Sequence, residues 1–213
     1  MKVFRLKPDF SYLSFYTWAT QAGANDLYRS GMMSIGGGQR LPTWDALALY
    51  PDEPGLRRGN FMYLWSQNFA IDDHALAVLK PVLENCCEFL PLAPFEGQIF
   101  YLINALQCVD CLDNEQTEMA QAFRDKITGQ DLPSKRIERY VFDPKKLPLS
   151  ALFRIPEDRT RAELTVSGLT SPYAEFKSIV EREGLTGIQF EELWSTNGPP
   201  IRTRERFKKT LGL

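Results

Sequence analysis

The chain has 213 residues, of which 44% are hydrophobic and 24% charged, and its net charge is −2. That composition suits one sizeable domain with a core that needs no covalent staples. It supplies no global field to draw nucleic acid or an anionic membrane. The charge is uneven, however. Residues 196–213 carry five bases (Arg202, Arg204, Arg206, Lys208, Lys209) against Glu205, which leaves an acidic body of net −6 ahead of a basic tail.

The opening MKVFRLKPDF alternates charged and apolar residues and has no continuous apolar stretch of the kind a secretory signal uses. The longest apolar run, Ile99 to Ile103, is far below the roughly 18 residues of a membrane span. The expectation is a soluble, cytoplasmic protein with no membrane partner. KVFRLKP reads as a short strand with Val3 and Phe4 near the core. SYLSFYTWA, Ser11 to Ala19, is rich in strand-forming aromatics. SIGGGQR and YPDEPGLRRGN read as breakers. IGGGQR lacks the Gly-Lys-Ser/Thr ending of a phosphate loop.

From Ile71 the periodicity sharpens. Ile71, Ala75, Leu76, Leu79, Val82 and Leu83 fall on one helical face. Asp72 or Asp73 can cap its start. Pro81 cannot donate a bond to Ala77, so a kink or an end is expected there. EFLPLAP reads as a strand leading to a turn. GQIFYLINAL, Gly97 to Leu106, reads as a strand buried on both faces. Lys135 to Leu147 reads as another strand, closed by Asp143-Pro144, and ALFRIPE as a short extended piece. Ser171-Pro172 opens a second helix with Tyr173, Phe176, Ile179 and Val180 on its apolar face, and Gly184 ends it in the left-handed conformation. GIQFEELW alternates as a half-buried strand. Strands interleaved with two helices, without a regular βα repeat, predict an α+β fold. Its form is a mixed, mainly antiparallel sheet with two principal helices packed on it.

Cys108-Val109-Asp110-Cys111 has metal-ligand spacing, but Cys86 and Cys87 are adjacent and make a poor second pair for a tetrahedral site. His74 is the only histidine and is expected to face solvent in a first helical turn. A redox C-x-x-C sits at a helix start, whereas this one follows a strand, and Asp110 would raise its thiol pKa. The cysteines therefore read as small buried hydrophobes, with no disulfide framework and no cofactor. Asp110, Asp113, Glu115 and Glu118 could build a divalent metal site or an acid/base pair. Asp113-Asn114 also reads as a turn in which side chains bond their own backbone, and that reading is preferred. No G-x-S-x-G occurs, and a nucleophilic dyad would have to use His74.

Five ordered segments resemble a known family: DDHALAVLKPVLENCCEFLPL, YLINALQCVDCLDNEQTE, RIERYVFDP, LFRIPE and FKSIVEREGLTGIQFEELW. The strongest pieces are Val109 to Asp113, Tyr140 to Pro144, and the Gly184–Gly187 turn running to Trp194. From about Ala70 to Trp194 the chain resembles the eleventh family of bacterial immunity proteins in the polymorphic-toxin nomenclature, formerly a domain of unknown function. That resemblance implies a non-enzymatic binder of a cognate toxin encoded by an adjacent gene, with no catalytic, cofactor or metal residues to carry over. On this reading residues 1–69 are an aromatic-rich segment packed on the core, 70–195 the family-like α+β core, and 196–213 a basic tail. Two other readings stand beside it. One is a metal-dependent enzyme using Asp110, Asp113 and Glu115. The other is a nucleic-acid binder using the basic tail, a partner class that the overall charge disfavours.

Overall fold

In the computed structural model the described residues are 1–16, 40–41, 43–52, 55–64, 68–120, 123–124, 131–132, 136–149, 151–157, 162–168 and 175–198. Residues 17–19, the SIGGGQ stretch from Ser34, Ser171 to Tyr173 and the basic residues of the tail lie outside them. In chain order the strands of the first half are β1 (Lys2–Pro8), β2 (Ser14–Tyr16), β3 (Tyr50–Pro51), β4 (Phe61–Leu64) and β5 (Asn68–Ile71). Helix α1 (Asp73–Leu83) follows, then β6 (Cys87–Pro91) and β7 (Tyr101–Ala105). Four short strands come next: β8 (Glu118–Met119), β9 (Phe123–Arg124), β10 (Asp131–Leu132) and β11 (Ile137–Arg139). The chain continues through β12 (Leu164–Ser167), α2 (Phe176–Arg182) and β13 (Ile188–Ser195).

The α+β class is as the sequence predicts, and the pairings are mostly antiparallel, but the strands divide among several sheets. The largest has the order β3-β2-β4-β5-β7-β6, and a three-stranded sheet has the order β12-β1-β13. Within the large sheet only β2 and β4 pair in parallel. The pairs β8–β11 and β9–β10 stand as separate ribbons. The first strand thus lies between the last two, with Lys2 to Pro8 facing Ser195 to Ile188.

Alternation along the strands assigns the faces. In β4, Phe61 and Tyr63 point to the helices, while Met62 and Leu64 point the other way. Phe69 and Ile71 of β5 and Ile103 of β7 join Ala75, Leu79 and Leu83 of α1 and Phe176, Ile179 and Val180 of α2. The opposite face packs Leu13, Phe15, Leu47, Leu49 and Phe100 against Ala70, Leu90 and Leu102. A third cluster joins Val3, Leu164, Val166 and Leu193 of the small sheet to Leu112, Ile137, Phe142 and Phe153. Full burial of a side chain such as Leu79 stabilises by about 1.5–3 kcal/mol.

Asp72 caps α1, its Oδ1 accepting from the Ala75 amide at 2.7 Å. The helix does not stop or break at Pro81 but runs on to Leu83. Pro81 is exposed and lies in the last turn, where few bonds remain to be lost, and the Glu84 amide that follows the helix still reaches the Lys80 carbonyl at 2.9 Å. The second helix begins at Phe176, with Glu175 at its N-cap. The expected start at Ser171-Pro172 falls outside the described residues. Gly184 ends it at φ +64°. The run from Gly97 becomes strand only at Tyr101, after a turn, and Ile99 is exposed. Lys135 lies outside the described residues, and of residues 136–147 only Ile137–Arg139 is strand, with Phe142 adding a single bridge.

The turn from Gly184 to Gly187 is clamped to the large sheet. Phe61 donates its amide to the Thr186 carbonyl at 2.9 Å, and Asn60 accepts the Thr186 amide at 3.1 Å while its own amide reaches Asp72 at 3.0 Å. Gly187 has φ +94°, and a Cβ there would collide with the Phe61 carbonyl oxygen. Gly184 has open space around the same position. Gly187→Ala is therefore expected to cost more than about 3 kcal/mol, against about 1 kcal/mol for Gly184→Ala. Urea unfolding of both variants reads the difference, and equal losses would refute the clamp.

Candidate functional site

The Val109–Asp113 and Tyr140–Pro144 stretches lie against each other. Leu112 and Phe142 form an antiparallel bridge. The Asp113 amide donates to the Val141 carbonyl and the Asp143 amide to the Cys111 carbonyl, both at 2.9 Å. Each aspartate then closes its own turn. Asp113 Oδ1 accepts from the amides of Glu115 and Gln116, both at 3.1 Å, and its Oδ2 accepts from Gln116 Nε2 at 2.6 Å. Asp143 Oδ1 accepts from the Lys145 amide at 3.0 Å. Two short segments paired back to back, each leaving through an Asp-capped turn, account for the acids without any reacting group.

The other acids are dispersed. Glu118 pairs with Arg139 at 2.9 Å, and Arg139 also donates to the Gln116 carbonyl at 2.8 Å. Asp110 and Glu115 are exposed. Among the described residues no three His, Cys, Asp or Glu side chains are gathered in a way that could hold a metal ion. His74 is exposed in the first turn of α1, where the sequence places it. Cys86, Cys87 and Cys111 are buried, but Cys108 is exposed, against the expectation of four buried thiols. Its backbone is held by a bridge to Arg154 while the chain edges past the surface. Burial pushes the Cys111 thiol up to about 12, and it also raises Cys108, so neither is a ready thiolate.

Beneath this pair of segments lies an aromatic seam. Phe142 stacks on Tyr140 with ring centres 6.0 Å apart and meets the edge of Trp194 at 6.0 Å. Arg5 of β1 donates to the Tyr140 hydroxyl and lies over its ring at 5.2 Å. Arg5 also reaches Glu191 of β13 at 3.5 Å. The three strongest pieces of the resemblance therefore belong to one scaffold: the paired segments rest on the sheet through Trp194 of β13.

The most consequential charged pair was not among the candidate residues. Arg154 is 1% exposed and Glu163 not at all, and Arg154 Nη2 lies 3.0 Å from Glu163 Oε1. The same nitrogen reaches Asn68 Oδ1 at 3.3 Å. Arg154 Nε and Nη1, Glu163 Oε2 and Thr165 Oγ1 are buried and find no partner among the described residues. The only signal in the sequence is an arginine between Phe153 and Ile155 in an apolar run. Burial raises the Glu163 pKa above the usual carboxylate value, and the Arg154 charge opposes that rise.

Removing one partner leaves a buried charge unpaired. Arg154→Met or Glu163→Leu alone is expected to cost about 3–5 kcal/mol, and the double variant to recover much of the loss. A raised folded-state pKa means stability is full below the unfolded-state value, near 4.3, and is lost as pH rises. Arg154→Met removes the opposing charge, so its deficit against wild type should grow from pH 4 to pH 8. Denaturation across that range checks it, and a constant deficit would count against the pair.

No helix among the described residues is long and apolar enough to cross a membrane. No curated protein matches the chain. A family model does: residues 93–194 match the model described as Immunity protein family (Imm11). That span is a little under half of the chain. It contains four of the five resembling segments whole, omits the one from Asp72 to Leu92, and ends at Trp194, so the family it names is the one the order of segments indicated.

Proposed function

We propose that this chain is an immunity protein that binds and neutralises a cognate bacterial toxin in the cytoplasm of the producing cell. The match of residues 93–194 to the immunity protein family carries the reading. The geometry supports it, because among the described residues Asp113 and Asp143 cap turns, Glu118 and Glu163 pair with arginine, and no three such groups converge. A binder of this kind needs a rigid surface and no reactive centre. The aromatic seam and the clamped turn at Gly187 would supply that rigidity. The acidic body of net −6 would steer toward a basic partner. On the same reading residues 1–69 pack on the family-like core as part of the scaffold, and β1 between β12 and β13 supports that role.

Co-expression with the product of the adjacent toxin gene is the direct test. Cells carrying both genes should grow, and cells carrying the toxin alone should not. The triple variant Asp110→Asn, Asp113→Asn, Glu115→Gln should protect as well as wild type, since an asparagine side chain can still cap the turn that Asp113 closes. Equal death with and without the protein would refute the proposal. Protection lost only in the triple variant, with a Mg²⁺- or Mn²⁺-dependent rise in Tm, would favour a metal enzyme instead.

A further inference from the structure

The two main sheets have four edges, and three of them are closed. β3 is two residues long and ends in Pro51. β6 is flanked by an extended stretch of the chain: the Leu41 amide reaches the Glu88 carboxylate at 3.2 Å, the Trp44 indole reaches the Pro91 carbonyl at 2.6 Å, and the Ala93 amide reaches the Leu47 carbonyl at 2.9 Å. β12 exchanges bonds with Phe153 through Leu164. β13 has no strand on its outer side among the described residues. From Ile188 to Glu192 its register against β1 is unbroken, and it lacks the proline, lysine or bulge that commonly guards an edge.

The pairing fixes which backbone groups face outward. The Leu6 amide donates to the Glu163 carbonyl at 3.0 Å on the β12 side, and the Asp9 amide donates to the Gly187 carbonyl at 3.2 Å on the β13 side. Alternation then turns the backbone of Arg5 and Lys7 toward β13. It turns that of Phe190 and Ile188, which lie opposite Leu6 and Pro8, away from β1. The N–H and C=O of Ile188 and Phe190 bond no group among the described residues. Beside them a groove of about 510 Å³ is lined by both α2 and β13. Val180, Leu185, Ile188 and Phe190 give it apolar walls, and Lys177 and Glu181 are its charged residues. The Lys177 side chain is 19% exposed, its ammonium 5.2 and 5.4 Å from the ring centres of Phe4 and Phe190. Its partner Glu181 is 59% exposed, so the groove turns a carboxylate to solvent.

We propose, resting on the immunity reading above, that the edge of β13 around Ile188 and Phe190, with the groove beside it, is the toxin-binding surface. An extended segment of the toxin adds to the β12-β1-β13 sheet as a fourth strand. Outward N–H and C=O groups two residues apart are matched by another extended backbone, and the groove takes an apolar side chain from it. A lysine or arginine next to that side chain meets Glu181. A second copy of this chain fits less well. Its own β13, IQFEELWS, would bring Glu191 and Glu192 and no base to the carboxylate. The main-chain bonds supply affinity, while the groove and Glu181 select the segment.

Amide hydrogen exchange followed by NMR on the full chain, free and saturated with an inactivated product of the adjacent toxin gene, tests this. The Ile188 and Phe190 amides should slow by at least about tenfold in the complex. Glu181→Lys should keep the wild-type Tm and weaken the complex about tenfold. A complex in which both amides exchange as fast as in the free chain, or one that Glu181→Lys leaves equally tight, overturns the proposal and leaves the immunity reading standing. No complex at all removes both. Slowing of the same amides in the free chain as its concentration rises, together with a dimer mass, would put a second copy on the edge and overturn the proposal.

Discussion

The buried pair of Arg154 and Glu163 is the constraint around which the two main sheets are joined. Arg154 lies on the extended segment before β12, Glu163 immediately precedes β12, and Asn68, which Arg154 also reaches, opens β5 of the large sheet. The backbone repeats the connection. Phe153 and Leu164 exchange bonds at 3.0 and 2.8 Å, Leu6 of β1 donates to the Glu163 carbonyl at 3.0 Å, and Arg154 exchanges with Gln107 and Val109 at 2.8 Å. Burying two charges is costly, and an apolar pair of the same volume is often no less stable. Such a pair acts mainly by penalising wrong arrangements, since any register that separates the partners leaves a charge in the core. Here that penalty falls on any packing that displaces β5, the 106–109 segment or β12 from one another.

Seen from this junction, the family-like segments are scaffold. The Cys111–Asp113 and Val141–Asp143 pieces bond each other, Phe142 lies on Trp194, and Gly187 is pressed against Phe61. Each is a position where local geometry admits few side chains. These pieces therefore hold the frame together, and their geometry says nothing of a contact surface.

Legibility in the sequence followed the range of the interaction. The Asp72 cap, the Ala75–Leu79–Leu83 face, the Gly184 stop and the Asp113 turn all depend on residues within a few positions, and each was readable. The end expected at Pro81 comes two residues later, at Leu83, because a proline's effect depends on how much helix remains. Cys108 misled because burial of a lone thiol is a matter of tertiary position. Neither Arg154 nor Glu163 carries a local sign of its partner. The division into separate sheets was equally hidden, since Lys2 and Ser195 meet across almost the whole chain.

That long-range pairing bears on what the matched family span can be physically. β12 and all but the last residue of β13 lie within residues 93–194, yet the two strands are not neighbours, because β1 separates them. β7 likewise draws its partner β5 and its covering helix α1 from residues before 93. Asn68 reaches the buried arginine from the same excluded region. A fragment limited to the matched span would expose both edges left by β1, strip one face from β7 and take Asn68 away from Arg154. Unpaired edges of this kind are sites for pairing with other chains. The matched span therefore shares its sheets with strands that precede it, β1 in the small sheet and β5 and β6 beside β7 in the large one.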